Sequence, residues 1–312
     1  MKAKLIVIGG PTGVGKTALS IKIANEFNGE IINGDSMQIY RSLNIGTATP
    51  SLEEQDQAKH HLINYVDVSE DYSVARFKSD AEIAMKDIIS RGKVPILVGG
   101  TGLYLESFIY DLSLGGKEIE NPTFRQEMTE LGDREGNHAV YAKLQALDPK
   151  AAEAIHPNNL RRVIRALEVG TFSDRLFSDQ AETHEDHVSP YNLLMIALDT
   201  DRQILYDRIN HRVDAMVKEG LLEETQWLLS QNLDPNQQSM KAIGYKELFP
   251  YFRKEASLET SLEELKKNSR HYAKRQLTWI RNRLDGVHWF NLVEYPERLD
   301  TVLTLVNDFL TD

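Results

Sequence analysis

"GGPTGVGKT" at residues 9–17 follows directly on the apolar run Leu5-Ile6-Val7-Ile8. Its Gly10-x-x-x-x-Gly15-Lys16-Thr17 spacing is that of a loop whose consecutive backbone N–H groups turn inward on phosphate oxygens, with the positive end of the following helix behind them. Gly10, Pro11, Thr12, Gly13, Val14, Gly15, Lys16 and Thr17 are therefore the candidate phosphate-binding residues. Lys16 is placed to reach the terminal phosphates and Thr17 to offer its hydroxyl to Mg²⁺. The pattern also occurs by chance as a glycine-rich turn with an exposed lysine, but here a strand precedes it and a helical stretch, Thr17–Asn28, follows. Alone it reads as an ATP signature. It leaves open whether the phosphate is a donor, an energy source or a leaving group.

Further strand-like runs at Glu30–Asn33 and Pro95–Val98, with a helical pattern at Ala75–Arg91 between them, alternate β with α. That alternation predicts a doubly wound, parallel α/β sheet. Each run ends in a polar or glycine-rich turn: Gly9-Gly10, Gly34-Asp35-Ser36 and Gly99-Gly100-Thr101. Ligands of such sheets bind beyond the carboxyl ends of the strands, so all three turns are expected to face one crevice. Beyond Leu114 the strand signal stops, and it returns at Leu193–Leu198 and His288–Leu292. The expected organisation is a core of residues 1–114 and 191–312 interrupted by an all-helical insertion domain at 115–190, with Thr171–Pro190 a mobile loop.

The bulk composition fits this picture. The 312 residues are 41% apolar and 27% charged, with no cysteine, which excludes disulfides and thiolate metal sites and suits a cytoplasmic protein. The start of the chain lacks the pattern of a signal peptide, and no apolar run reaches membrane-spanning length. A net charge of −11 taken alone argues against a nucleic-acid partner, although local charge decides that question.

Two features bear on the fate of the phosphate. A phosphoryl-transfer or motor enzyme usually closes a later strand with a carboxylate that organises metal and water. The run at 94–98 ends instead in Gly99-Gly100-Thr101-Gly102. The carboxylate, Asp35, follows the second strand, where Asp-Ser is also an ordinary turn pair. At the crevice it suits proton abstraction from an acceptor better than water activation. Meanwhile residues 266–283, "KKNSRHYAKRQLTWIRNR", carry seven Lys/Arg and no acid. On a helix, Ala273, Leu277, Ile280 and Leu284 make an apolar stripe, with Lys267, Arg270, Lys274 and Arg281 beside it and Tyr272 and Trp279 on a further side. Arg161, Arg162 and Arg165 form a second cluster in the insert. Such runs are commonly solvated helix faces. Two of them flanking a phosphate crevice also suit an extended polyanion such as RNA with one base turned into a pocket.

"GPTGVGKT" (10–17), "DSMQIYR" (35–41), "GTATP" (46–50) with "HHLI" (60–63), "PILVGGTGLY" (95–104), "HPNNLRRVIRALE" (156–168), "IGYKE" (243–247) and "YAKRQLTWIRNR" (272–283) occur in an order that resembles the bacterial tRNA dimethylallyltransferases, also called tRNA isopentenyltransferases. The resemblance spans essentially the whole chain. It implies a monomer that uses Mg²⁺ and moves a dimethylallyl group from dimethylallyl diphosphate to N6 of adenosine 37, with a helical insertion gripping the tRNA anticodon stem-loop. By the same resemblance Thr12 to Thr17 hold the diphosphate. Asp35, Ser36, Met37 and Gln38 meet the target nucleotide, with Asp35 as general base, and Thr101 lines the channel where the substrates meet. Arg125 and the segment Arg161, Arg162, Val163, Ile164, Arg165 contact tRNA. "TFSDRLFSDQAETHED" at 171–186 departs from the family pattern and receives no role. Competing readings are a small-molecule or nucleotide kinase, a prenyltransferase acting on free AMP or ATP, and a non-catalytic RNA-binding module. The last would leave Lys16, Thr17 and Asp35 without a task.

Overall fold

The computed structural model describes residues 2–112, 121–182 and 188–312. Six strands form one parallel sheet: β1 (Lys4–Gly9), β2 (Gly29–Asn33), β3 (His60–His61), β4 (Val94–Val98), β5 (Asn192–Leu198) and β6 (Val287–Phe290), in the order β3-β2-β4-β1-β5-β6. Ile6 of β1 pairs with Ile96 on one side and Leu194 on the other. The strands read as unbroken apolar runs because both faces of the sheet are covered. Period-two alternation divides them: Leu5, Val7, Ile32, Leu97 and Met195 face one core, and Ile6, Ile8, Ile31, Ile96 and Leu194 the other.

The first half of the sheet carries α1 (Lys16–Glu26), α2 (Leu52–Gln57), α3 (Val74–Ser90) and α4 (Gly102–Ile109). The chain then enters α5 (Pro122–Glu135), α6 (Asn137–Leu147), α7 (Pro149–Ala154), α8 (Leu160–Phe172) and α9 (Phe177–Glu182). After β5 come α10 (Arg202–Lys218), α11 (Leu221–Ser230), α12 (Phe249–Phe252), α13 (Leu258–Arg283) and, after β6, α14 (Leu299–Thr311). None of the described helices is long and apolar enough to cross a membrane.

The chain divides into two compact units, one of Met1–Asp111 with Ser189–Asp312 and one of Leu112–Val188. The boundary expected at Leu114 lies outside the described residues. The second unit has its own core of Val140, Leu144, Ala151, Ala152, Ile155, Val163, Ile164, Ala166 and Leu167. Its cohesion also rests on Glu168, fully buried, whose carboxylate accepts the Asn121 N–H at 2.8 Å and both Nε and Nη2 of Arg125 at 2.8 Å, with Arg165 on its second oxygen. Burial pushes the Glu168 carboxyl up, but Arg125, the Asn121 amide and Arg165 together hold it below the usual range.

The loop expected over 171–190 is partly helical. Thr171 and Phe172 end α8, and α9 occupies Phe177–Glu182, its start anchored by the Ser178 N–H on Asp148 at 2.8 Å. Residues 183–187 lie outside the described set. A short helix in polar sequence carries too little periodicity to stand out from a loop.

Candidate functional site

Strand β1 ends in the phosphate loop, and Gly10 is required there. Its φ is +145°, and a Cβ would lie 2.7 Å from the Leu198 carbonyl oxygen of neighbouring β5. Val14 is buried in the core, so only its backbone is available to a ligand. Lys16 opens α1 and donates from Nζ to the Pro11 carbonyl at 2.8 Å, curling its ammonium back over the loop. Burial lowers its pKa to about 8; Asp35 opposes that shift and Arg212 adds to it.

Asp35 follows β2 on a turn framed by Asn33, whose Oδ1 accepts the Asp35 N–H at 3.1 Å and whose Nδ2 donates to the Leu62 carbonyl at 2.9 Å. The Asp35 Oδ1 accepts the Met37 N–H at 2.8 Å. Burial raises the Asp35 pKa, against the Met37 bond and the charge of Lys16. The carboxylate is thereby a stronger base than an exposed one while remaining oriented. Ser36 donates its N–H to Thr101 Oγ1 at 3.0 Å, tying this turn to the end of β4. The Thr101 hydroxyl is thus engaged by the Asp35 turn. Gln38 donates from Nε2 to the carbonyls of Thr47 and Ala48, closing the wall opposite.

All three turns meet in one cavity of about 910 Å³, lined by Lys16, Thr17, Asp35, Gln38 and Gly100 among others. Its volume is at the upper end of the range for ligand sites. Arg208 and Arg212, one helical turn apart on α10, also line it. Arg208 donates from Nε to the Gly13 carbonyl at 2.9 Å, and Arg212 reaches Thr12 Oγ1 at 3.5 Å. Neither was expected from the sequence, although an i, i+4 arginine pair soon after a strand of the same sheet is a usable signal. The wall at 44–46 is held by Glu224, whose carboxylate accepts the N–H groups of Asn44, Ile45 and Gly46 and the hydroxyl of Tyr245.

The basic segment proves to be the second part of the 26-residue α13. Several of its cations have partners: Lys266 with Asp214 at 2.8 Å, Lys267 with Glu264 at 3.1 Å, Arg270 with Asn210 at 2.6 Å and Arg281 with Asp199 at 2.6 Å. Tyr272, Arg275 and Gln276 face the cavity.

In the insertion unit, two of the expected contact residues present no side chain to solvent. Val163 is 0% exposed and Ile164 6%, because the helical period turns both into that unit's core, so their side chains are not available to RNA. Arg161 and Arg162 are exposed, whereas Arg125 and Arg165 are engaged by Glu168. For a metal, Thr17 offers a hard oxygen at the start of α1. The one other cluster among the described residues, Glu30 with His61 and Asp87, is filled by the cations of Arg91 and Lys93.

Comparison with known proteins gives a consistent result. The model of the family described as IPP transferase matches residues 38–283. A tRNA dimethylallyltransferase of Enterococcus faecalis is 48% identical over 308 residues, covering 98% of this chain and 97% of that protein. One of Streptococcus thermophilus is 50% identical over 302 residues, covering 96% and 95%. Among solved structures, the full-length tRNA isopentenylpyrophosphate transferase of Bacillus halodurans superposes with a TM-score of 0.74 at 45% identity, over 99% of this chain and 97% of that one. A eukaryotic dimethylallyltransferase acting on tRNA reaches a TM-score of 0.87 at 34% identity, over 99% and 80%.

Proposed function

The chain belongs to the IPP transferase family, and from that premise we propose that it transfers the dimethylallyl group of dimethylallyl diphosphate to N6 of adenosine 37 in the anticodon stem-loop of tRNA. The observation that carries this reading is the convergence on one cavity of a phosphate loop and a half-buried carboxylate from the turn after the next strand. The phosphate side holds Lys16, Arg208 and Arg212, and the acceptor side holds Asp35.

The reaction forms a bond between N6 and the allylic carbon and breaks that carbon's bond to the diphosphate oxygen. Negative charge grows on the departing diphosphate, where the loop amides, Lys16 and the two arginines stabilise it. The N6 amine becomes acidic as it is alkylated, and Asp35 accepts its proton. Thr101, bonded to Ser36, keeps that turn at its height. Thr17 would hold Mg²⁺, which keeps several waters and binds largely through substrate phosphates, so a single protein hydroxyl suits it. When bound, the ion neutralises charge on the leaving diphosphate. Arg161 and Arg162 meet the tRNA backbone, and Arg125 and Arg165 act by shaping the surface around Glu168. The monomer is taken as the working unit and the cytoplasm as its location.

Incubation with labelled dimethylallyl diphosphate and unmodified tRNA, followed by nucleoside analysis, tests the proposal. Label in N6-modified adenosine is expected. ATP-dependent phosphorylation of a nucleotide or small molecule, without label in the tRNA, would sink it in favour of a kinase.

A further inference from the structure

Gln276 lies in the middle of a cationic stretch of α13, yet it is 4% exposed and points inward. Its Oε1 accepts the N–H of Thr12, 264 residues away, at 2.9 Å. Its Nε2 lies so close to Gly100 that a Cβ there would be 2.0 Å from it. One turn earlier Tyr272 lines the same cavity, and Gly100 leads directly into Thr101. Thr101 in turn accepts the N–H of Ser36, the neighbour of Asp35. A continuous path thus runs from the phosphate loop through the Gln276 amide to Gly100 and Thr101, and on to the turn carrying the carboxylate.

We propose that Gln276 is a positioning residue of the transfer reaction, fixing the distance between the leaving-group loop and the acceptor's base through one buried amide. The inference rests on the prenyl-transfer reading. The physical argument is that the two halves of the reaction sit on different loops, after β1 and β2, which are not neighbours in the sheet. The strand between them, β4, ends in glycines without side chains to bridge them. An in-line displacement needs the attacking atom within about 3–3.5 Å of the carbon, and misplacement by about 1 Å can cost on the order of 10²-fold in rate. The Thr12 N–H is directed outward to Gln276, which sets the orientation in which the following amides face the phosphates. Gln276 is therefore placed at the cavity wall to act through the loop.

The test begins with transfer by the wild-type chain, measured with dimethylallyl diphosphate and tRNA. If the wild type does not transfer, the proposed function itself fails. If it does, Gln276→Leu is expected to lower kcat roughly thirty- to hundredfold, with KM for tRNA within about twofold and a melting temperature lowered by only about 2–8 °C, so that the chain stays folded at the assay temperature. Gln276→Glu keeps an acceptor for the Thr12 N–H and is expected to recover at least about fivefold of that loss in kcat while raising KM for dimethylallyl diphosphate through its charge. Wild-type kcat in Gln276→Leu overturns the inference. So does an equal loss in both variants that tracks their loss of folded protein. Should Gln276→Leu fail to fold, Gln276→Met keeps the length of the side chain and removes only its amide. A kcat reduced about tenfold or more at unchanged tRNA KM then supports the path, and an unchanged kcat overturns it.

Discussion

Lys16 offers a quantitative check on the phosphate side of the cavity. Its folded-state pKa of about 8 lies below the ordinary 10.5 because burial disfavours the ammonium. A bound diphosphate restores that charge, so binding above pH 8 must bring a proton with it. With a pKa of about 8 in the free protein and at least 10.5 in the complex, about a tenth of a proton is taken up at pH 7 and about 0.9 at pH 9. The apparent Kd for dimethylallyl diphosphate should weaken about tenfold between those values, about 1.4 kcal/mol. The ligand's own last ionisation, like that of other phosphate esters near pH 6, falls below the window. Stability moves in the opposite sense. Between pH 8 and 10.5 the unfolded chain binds the proton more fully than the folded one, so this group makes the fold more stable as pH rises, by at most about 3 kcal/mol. Isothermal titration without tRNA, in buffers of different ionisation enthalpy, reads the uptake directly, and Lys16→Met should abolish both the uptake and the pH dependence. A wild-type Kd constant within twofold from pH 7 to 9 would refute the reasoning.

Asp35→Asn should bind tRNA normally yet lose about 10²–10⁴ in kcat. Because burial raises the Asp35 pKa, the acid limb of the wild-type kcat/KM profile should lie above the ordinary aspartate value of 3.8. Glu168→Gln leaves two arginines facing a neutral group and should destabilise the insertion unit by about 3–5 kcal/mol, read by hydrogen exchange across α5 and α8. In the wild type, the stabilisation that Glu168 supplies is present above the unfolded value of 4.5 and lost as pH falls through its lower folded value. Arg161→Ala, by contrast, should change stability by less than about 0.5 kcal/mol while raising the KM for tRNA and reducing the salt slope of binding by about 0.7–1. Glu224→Ala strips the acceptor from three backbone N–H groups at 44–46 and should cost about 2–4 kcal/mol, checked by thermal unfolding.

The sheet was legible because strands covered on both faces are apolar without interruption, and the crevice was legible because each such run stops at a glycine or polar turn. β3 was not, since His60–His61 is two polar residues at an edge, and its pairing with Ile31 and Ile32 depends on the chain returning there. Arg208 and Arg212 join the phosphate loop from nearly 200 residues away; their i, i+4 spacing after β5 marks a shared helix face but not the loop that it meets. Gln276 escaped notice for a related reason: a buried amide has the same one-letter appearance as a surface amide, and its cationic neighbours suggested an outer face. Val163 and Ile164 show the converse case, buried side chains within a polar motif. A motif taken as a contiguous block includes residues that the helical period sends to opposite sides.

The same packing explains why this phosphate loop lacks the carboxylate that hydrolytic relatives of the fold place at the end of a neighbouring strand. β4 pairs directly with β1, so its last positions would be the ones to supply it. At Gly99 a Cβ would stand 2.3 Å from the Gly34 carbonyl oxygen, and at Gly100 it would meet the Gln276 amide. Any side chain there would push apart the turn after β2 or the brace from α13. The space an activating carboxylate would fill is taken up by the Gly34 backbone and the Gln276 amide. A carboxylate at the end of β4 and the close approach of the Gly34 turn and Gln276 are therefore mutually exclusive, and the glycines keep the second.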